Sequence, residues 1–277
     1  MRLKHFLITG IILMVTGGLL AGATYTLGAQ KSLTWDDGPR LIDMVTETKK
    51  KIKEANKIVI HAEHQTVSVI RGLDFEIQTT YDKTEKPEIK EKNGVLTVNA
   101  VKKSEGAIIS LEDTSAQITI VVPADQELSE LTIEGNNSAI DINEVSIKKV
   151  NTMTHDGWVS FNEFTGGTIT AKDELGSLRL DEVKVDNLTV IGESSNLHLE
   201  DSLVSKEGNV TLNNSNLSLH EMENSGYTLQ TSGESHIEKD YQPITNTLLE
   251  QGQKRLKITA KDTSINITTD QEDDETD

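Results

Sequence analysis

From residue 57 onward the chain alternates apolar and polar positions with a period of two, as strands with one buried face do. The stretch "IVIHAEHQTVSVIRG" (58–72) reads as two short strands around a polar turn, and "GVLTVNA", "AQITIVVPAD" and "LTIEGNNSAIDINEV" continue the theme. After Leu131 the pattern repeats at a nearly fixed interval. The first apolar residue of each later short strand is Ile140, Val159, Leu178, Leu197 and Leu217, at steps of 19, 19, 19 and 20 residues. A second apolar residue follows two positions on, at Ile142, Phe161, Leu180, Leu199 and Leu219. Ile237 keeps the spacing more weakly, and Ile265 and Ile267 play the same role in "KRLKITAKDTSINITTD" (254–270). The intervening "QPITNTLLEQGQ" breaks the period and reads as a loop or irregular turn.

Self-similarity at this interval predicts an all-β chain, a β-solenoid (β-helix-like) of ~19-residue coils. Each coil has one apolar face that it cannot bury alone, so coils stack into a continuous core of Ile, Leu and Val. The turns "GNNS", "HDG", "ELGS", "GESSN" and "NNSN" supply residues that tolerate tight or left-handed backbone. A β-sandwich is the alternative architecture, since it also needs short, evenly spaced strands; the constancy of the interval favours the solenoid. Whether residues 58–270 form one stack or two that meet near Pro123 is left open by the pattern.

The first thirty residues follow other rules. Arg2 and Lys4 precede a run from Phe6 to Gln30 without a charged side chain. As a helix, that run would be about 36 Å long, enough for a hydrocarbon core of about 30 Å. The positive start predicts a cytoplasmic N-terminus and an extracellular remainder at the cell membrane. A cleaved signal peptide, with Ala21-Gly22-Ala23 as its small-residue site, is the alternative. Next comes "DDGPRLIDMVTETKKKIKEANK". Pro39 suits a first helical turn behind Asp36 and Asp37, and Lys49, Lys50, Lys51 and Lys53 suit the negative end. Leu41, Met44, Val45, Ile52 and Ala55 fall roughly on one helical face. The expected organisation is therefore a cytoplasmic segment 1–5, a transmembrane helix 6–30, a juxtamembrane helical linker 31–56, a β-strand-repeat domain 57–270 and a disordered acidic tail 271–277.

Composition narrows the function. A net charge of -18 argues against nucleic acid and against lying flat on anionic lipid. With no cysteine, disulfides, thiolate metal sites and lipoprotein acylation are excluded. Outward polar positions of successive coils align Asp141 with Arg179 and His198, the arrangement a partner-contacting face would use. Trp158 sits out of phase with the apolar Val159 and Phe161 and would face outward as a further contact; a larger residue packed in the core or at a coil end is the alternative. Asp141, Glu163, Asp181, Glu182 and Glu200 are the carboxylates an enzyme acting on polysaccharide would draw on. Period-two alternation places such residues on any solvated face, so no catalytic residue is assigned. His61, His64, His155, His198, His220 and His236 show no ligand spacing, and no metal or other cofactor is expected.

The segments "NKIVIHAEHQTVSVIRG", "GVLTVNA", "AQITIVVPAD" and "ELSELTIEGNNSAIDI", with the repeats after them, resemble the bacterial "putative adhesin" domain family of LiaG-like and YvlB-like envelope proteins. The resemblance spans about residues 57–270, and Trp35 after an N-terminal apolar segment is similar to Gram-positive members. It implies a β-strand-repeat domain outside a bacterial membrane, tied loosely to envelope stress, without established catalytic residues. The expectation is a non-enzymatic, membrane-anchored binding module of the cell envelope. Its partner would be an envelope membrane protein or a cell-wall polymer. A polysaccharide-acting enzyme and a passive spacer are the rivals.

Overall fold

The computed structural model describes residues 2–26, 32–35, 38–50, 52, 55–101, 107–109, 115–220, 222, 226–245, 248–253 and 255–269. The predicted acidic tail 271–277 lies outside them. The chain forms two compact units, Met1–Met44 with Ser104–Thr114, and Val45–Lys103 with Ser115–Asp277.

The first unit holds α1 (Arg2–Thr26) and a small antiparallel sheet. In that sheet β1 (Leu33–Trp35) lies between β2 (Pro39–Leu41) and a strand at Ala107–Ile109. Among the described residues, no helix is long and apolar enough to cross a membrane.

The predicted helix over 31–56 is not formed. β1 and β2 occupy its first half, and β3 (Met44–Lys50) follows as an edge strand. "MVTETKK" fits both periods, because Val45, Thr46 and Thr48 are β-branched and suit a strand as well as they tolerate a helix. Tertiary partners decide the matter. Thr46 Oγ1 lies 3.0 Å from Thr80 Oγ1, Lys86 reaches the Glu47 carboxylate at 2.7 Å, and Lys49 pairs with Glu91 at 3.8 Å.

The second unit is a stack of two-stranded coils. It starts with β4 (Lys57–Glu63) and β5 (Gln65–Gly72), then β6 (Glu76–Asp82), β7 (Glu88–Lys92) and β8 (Val95–Ala100). The first unit's strand at Ala107–Ile109 is β9; the second unit resumes with β10 (Ala116–Pro123). Regular coils follow: β11 (Glu130–Asn136) with β12 (Ala139–Asn143), β13 (Ser146–His155) with β14 (Trp158–Asn162), and β15 (Thr165–Glu174) with β16 (Ser177–Asp181). Then come β17 (Lys184–Glu193) with β18 (Asn196–Glu200), and β19 (Leu203–Asn213) with β20 (Asn216–His220). The chain ends with β21 (Tyr227–Ser232), β22 (His236–Lys239), β23 (Gln242–Ile244), β24 (Leu248–Gln251), β25 (Leu256–Lys261) and β26 (Ser264–Thr268).

The longer strand of each regular coil joins an 11-stranded sheet and the shorter one a 12-stranded sheet, and the core lies between them. The predicted repeat positions are cross-strand neighbours: Ile140 pairs with Val159, then Leu178, Leu197, Leu217 and Ile265, in parallel register. All six are buried. The pairing is continuous through β10 at Pro123, so there is one stack.

Spatial order departs from chain order at both ends. β25 and β26, last in sequence, lie between β19/β20 and β21/β22. At the other end β4/β5 lies between β8/β10 and β11/β12. Strands antiparallel to the stack close both ends: β7 and β6 at one end, with β3 at the edge beyond β6, and β23 and β24 at the other. The stretch read as a loop, 242–253, thus contains two capping strands. Such caps, with Pro243 on an edge, block further parallel addition of coils.

Corners are made by single residues in left-handed backbone. Asn137, Asp156, Leu175, Ser194, Asn214 and Asp262 hold φ between 48° and 61°, and Glu144, Glu163, Glu182 and Asp201 form the second corner series. Each N–H of the first series that borders a regular coil donates along the stack, as Asp156 does to Glu174 O at 2.8 Å and Leu175 to Glu193 O at 3.0 Å. Leu175 is the misfit, since its branched chain crowds this conformation and is 54% exposed, burying little in return. Leu175→Asn should raise unfolding stability by about 0.5–1 kcal/mol, read from urea midpoints at unchanged m-value. An unchanged or lower midpoint would contradict this account of the corner.

After most corners of the first series a buried hydroxyl caps the turn: Ser138, Ser195, Ser215 and Thr263 each donate to a carbonyl two residues back at 2.7–3.0 Å. Gly157 and Gly176 replace it in two coils. A Cβ at Gly176 would stand 2.5 Å from Asp173 Oδ1, so this glycine makes room for a carboxylate buried inside the stack. Thr154 donates to that oxygen at 2.7 Å.

Candidate partner-binding face

The outward side of the short-strand sheet collects the predicted contacts. Asp141, Ser160, Arg179, His198, Ser218 and Asn266 stand in one row, each in register with the next. A parallel row runs Trp158, Ser177, Asn196, Asn216 and Ser264. A third carries Asp181, Glu200, His220 and Thr268. Strand spacing of about 4.8 Å makes the rows ladders roughly 20 Å long.

Trp158 is 40% exposed while Val159 and Phe161 beside it are buried. Phe161 meets Phe164 inside the coil, edge to face, with ring centroids 5.5 Å apart. Beyond Trp158 the sheet dips into a shallow hollow of about 310 Å³ whose walls include Ser177, Asn196, His198, Asn216, Ser264 and Asn266. Asn216 Nδ2 donates to Asn196 Oδ1 at 2.8 Å, which leaves further amide and hydroxyl capacity facing outward.

Arg179 and His198 do not stand apart as isolated contacts. Arg179 donates to Asp181 Oδ2 at 2.9 Å and to Glu200 Oε2 at 2.6 Å. His198 Nε2 lies 2.9 Å from the same Glu200 oxygen, and His220 Nδ1 lies 3.5 Å from the other. Glu200 is the hub. Its hydrogen bond to His198 holds its carboxyl below the usual range, helped by the Arg179 charge and opposed by partial burial. Asp141 is separated from this cluster by Ser160. Burial pushes its carboxyl above the usual range.

Among the described residues no three His, Asp or Glu side chains converge to hold a metal ion. His61 lies 2.9 Å from Glu134 and His155 3.7 Å from Glu174, as separate contacts on the long-strand sheet. The row alignment of Asp141, Arg179 and His198 was legible from the repeat. The hub role of Glu200 and the polar hollow were not read from the sequence. Two walls of that hollow, Ser264 and Asn266, arrive from a strand that chain order places elsewhere.

The fold defines a capped β-solenoid with rows of polar side chains on the outward side of its short-strand sheet. The chain belongs to the Toastrack DUF4097 family, whose model matches residues 55–276. No curated protein matches it. Solved structures with a similar chain path include a "putative adhesin" from Bacteroides fragilis, 11% identical, with TM-score 0.46 over 82% of this chain and 97% of that one. Another from Parabacteroides merdae is 11% identical, with TM-score 0.43 over 81% and 96%. A "putative cell adhesion protein" from Clostridium sporogenes is 14% identical, with TM-score 0.38 over 82% and 100%.

Proposed function

We propose that the chain is a membrane-anchored, extracytoplasmic binding module, and that its short-strand face receives a neutral, hydroxyl-rich polymer of the cell envelope. The observation that carries this is the hollow of Asn and Ser side chains, whose wall residue Ser177 is the register partner of the part-exposed Trp158 on the next strand. Amides and hydroxyls can both donate to and accept from sugar hydroxyls, and an indole face stacks on the apolar side of a sugar ring. The net charge of -18 disfavours anionic polymers and leaves a neutral glycan as the better match.

The anchor is the run Phe6–Gln30, with the N-terminus cytoplasmic. It is supported by the absence of charge across that run and by α1, whose described side chains are all exposed although most are apolar. Such a surface needs lipid or protein around it.

Catalysis is not part of the proposal. A hydrolase would need a carboxyl with raised pKa beside a second carboxylate. Asp181 and Glu200 share the Arg179 guanidinium, and Glu200 is held low. Asp141 is raised, but its register neighbours are Ser68 and Ser160.

The test is retention of detergent-solubilised full-length protein on purified cell-wall sacculi. Trp158→Ala should weaken retention about tenfold, equivalent to about 1.4 kcal/mol, without a change in thermal stability beyond that of a surface site. Equal retention of both forms would remove the glycan reading.

A further inference from the structure

The small sheet of the first unit buries a threonine and exposes the apolar Trp35, Pro39 and Leu41. Strand alternation sets Leu33 and Trp35 on one face of β1 and Thr34 on the other. Thr34 is 4% exposed, whereas Trp35 is 58% and Leu41 57% exposed. Leu33 pairs in register with Leu41 on one side and Ile109 on the other; Trp35 pairs likewise with Pro39 and Ala107. Every position in register with that face is therefore apolar. A sheet made for water turns such a set inward and its threonine outward.

The same compact unit contains α1, whose exposed surface includes Ile12, Leu13, Met14, Leu19 and Leu20. Only residues 27–32 separate α1 from β1. At about 3.5 Å per residue, that tether holds the sheet within roughly 25 Å of the helix end. If α1 lies in the anchor proposed above, an apolar surface so close to its end meets the bilayer before it meets any soluble partner.

We propose that this face is a lipid-contacting platform, seated in the headgroup–acyl boundary of the bilayer with the Trp35 indole as its anchor. The inference rests on the membrane anchoring proposed above and adds a second contact to it. Tryptophan has the chemistry for that layer, an apolar body with one N–H donor for headgroup oxygens. The apparent conflict with the net charge of -18 is resolved by chemistry: this face carries no charged position, so its contact is apolar and needs no anionic lipid.

The two tryptophans of the chain are Trp35 and Trp158, so Trp158→Phe leaves Trp35 as the sole reporter. The full-length variant is reconstituted into phosphatidylcholine vesicles, floated on a density gradient, and read by fluorescence. Trp35 should show about fivefold less quenching by aqueous iodide than Trp158 in the matching Trp35→Phe protein. It should also be quenched more by lipid brominated near the headgroup than near the chain end. Protein that floats while Trp35 is as open to iodide as Trp158, and blind to bromine, overturns the platform and leaves the anchor standing. Protein that does not float overturns both.

Discussion

Deleting residues 256–269 is expected to abolish the C-terminal coils rather than fray the end of the stack. β25 and β26 are the last strands in sequence, yet each pairs on both sides. They bury Leu256, Ile258, Ile265 and Ile267 almost completely. At about 1.5–3 kcal/mol per buried large side chain, this is roughly 6–12 kcal/mol, the size of a whole domain's stability. Their loss leaves a gap one coil thick between β19/β20 and β21/β22, with Leu217, Leu219, Leu229 and Ile237 facing it. Hydrogen exchange should then show protection lost throughout 216–251. A solenoid stacked in chain order would lose only its end and keep β21 and β22 protected.

The second large effect concerns one coil that exchanges volumes with its neighbours. At the corner where adjacent coils carry Val145 and Val183, this coil has Phe164; where they carry Ile147 and Val185, it has Gly166. A Cβ on Gly166 would lie 2.7 Å from the Phe164 ring and 2.3 Å from Ile147 O. The glycine and the ring are two halves of one packing solution. Phe164→Ala should cost about 3–5 kcal/mol, including the loss of its edge-to-face contact with Phe161. Gly166→Val should cost about 2–3 kcal/mol by overpacking. Phe164→Val with Gly166→Val restores the neighbours' pattern, and the double variant should be less destabilised than Gly166→Val alone. Additive losses in denaturant unfolding would show that the two positions do not share space.

The middle of the fold was open to reading because its repeat has one length. When Ile140, Val159, Leu178 and Leu197 are equally spaced, the only register that buries them all sets them side by side. The same argument aligns Asp141, Arg179 and His198 on the outside. Alternation reports which way a side chain faces, and is silent on which strand lies next door. That is why Ile237 seemed to follow Leu217, when Ile265 lies between them. Residues 31–56 misled for a related reason. Their apolar spacing fits a helix in isolation, but hydrogen bonds to β6 and the ion pairs of Glu47 and Lys49 favour an edge strand. The polar hollow inherits the first difficulty, since Ser264 and Asn266 reach it only through the inserted coil.

That insertion builds both the stability of the stack and the face assigned to the partner, and the cysteine-free chain permits a direct test. Ser218 and Asn266 are register partners on adjacent strands, while Glu238 lies one strand further on. Adjacent parallel strands place Cα atoms about 4.8 Å apart, within the span of a disulfide, and the next strand doubles that distance beyond it. Mild oxidation of Ser218→Cys/Asn266→Cys should give a rapid intramolecular crosslink, and Ser218→Cys/Glu238→Cys should give none. Crosslinking of the second pair and not the first would mean that the coils stack in chain order, and the hollow of Asn and Ser side chains would lose two of its walls.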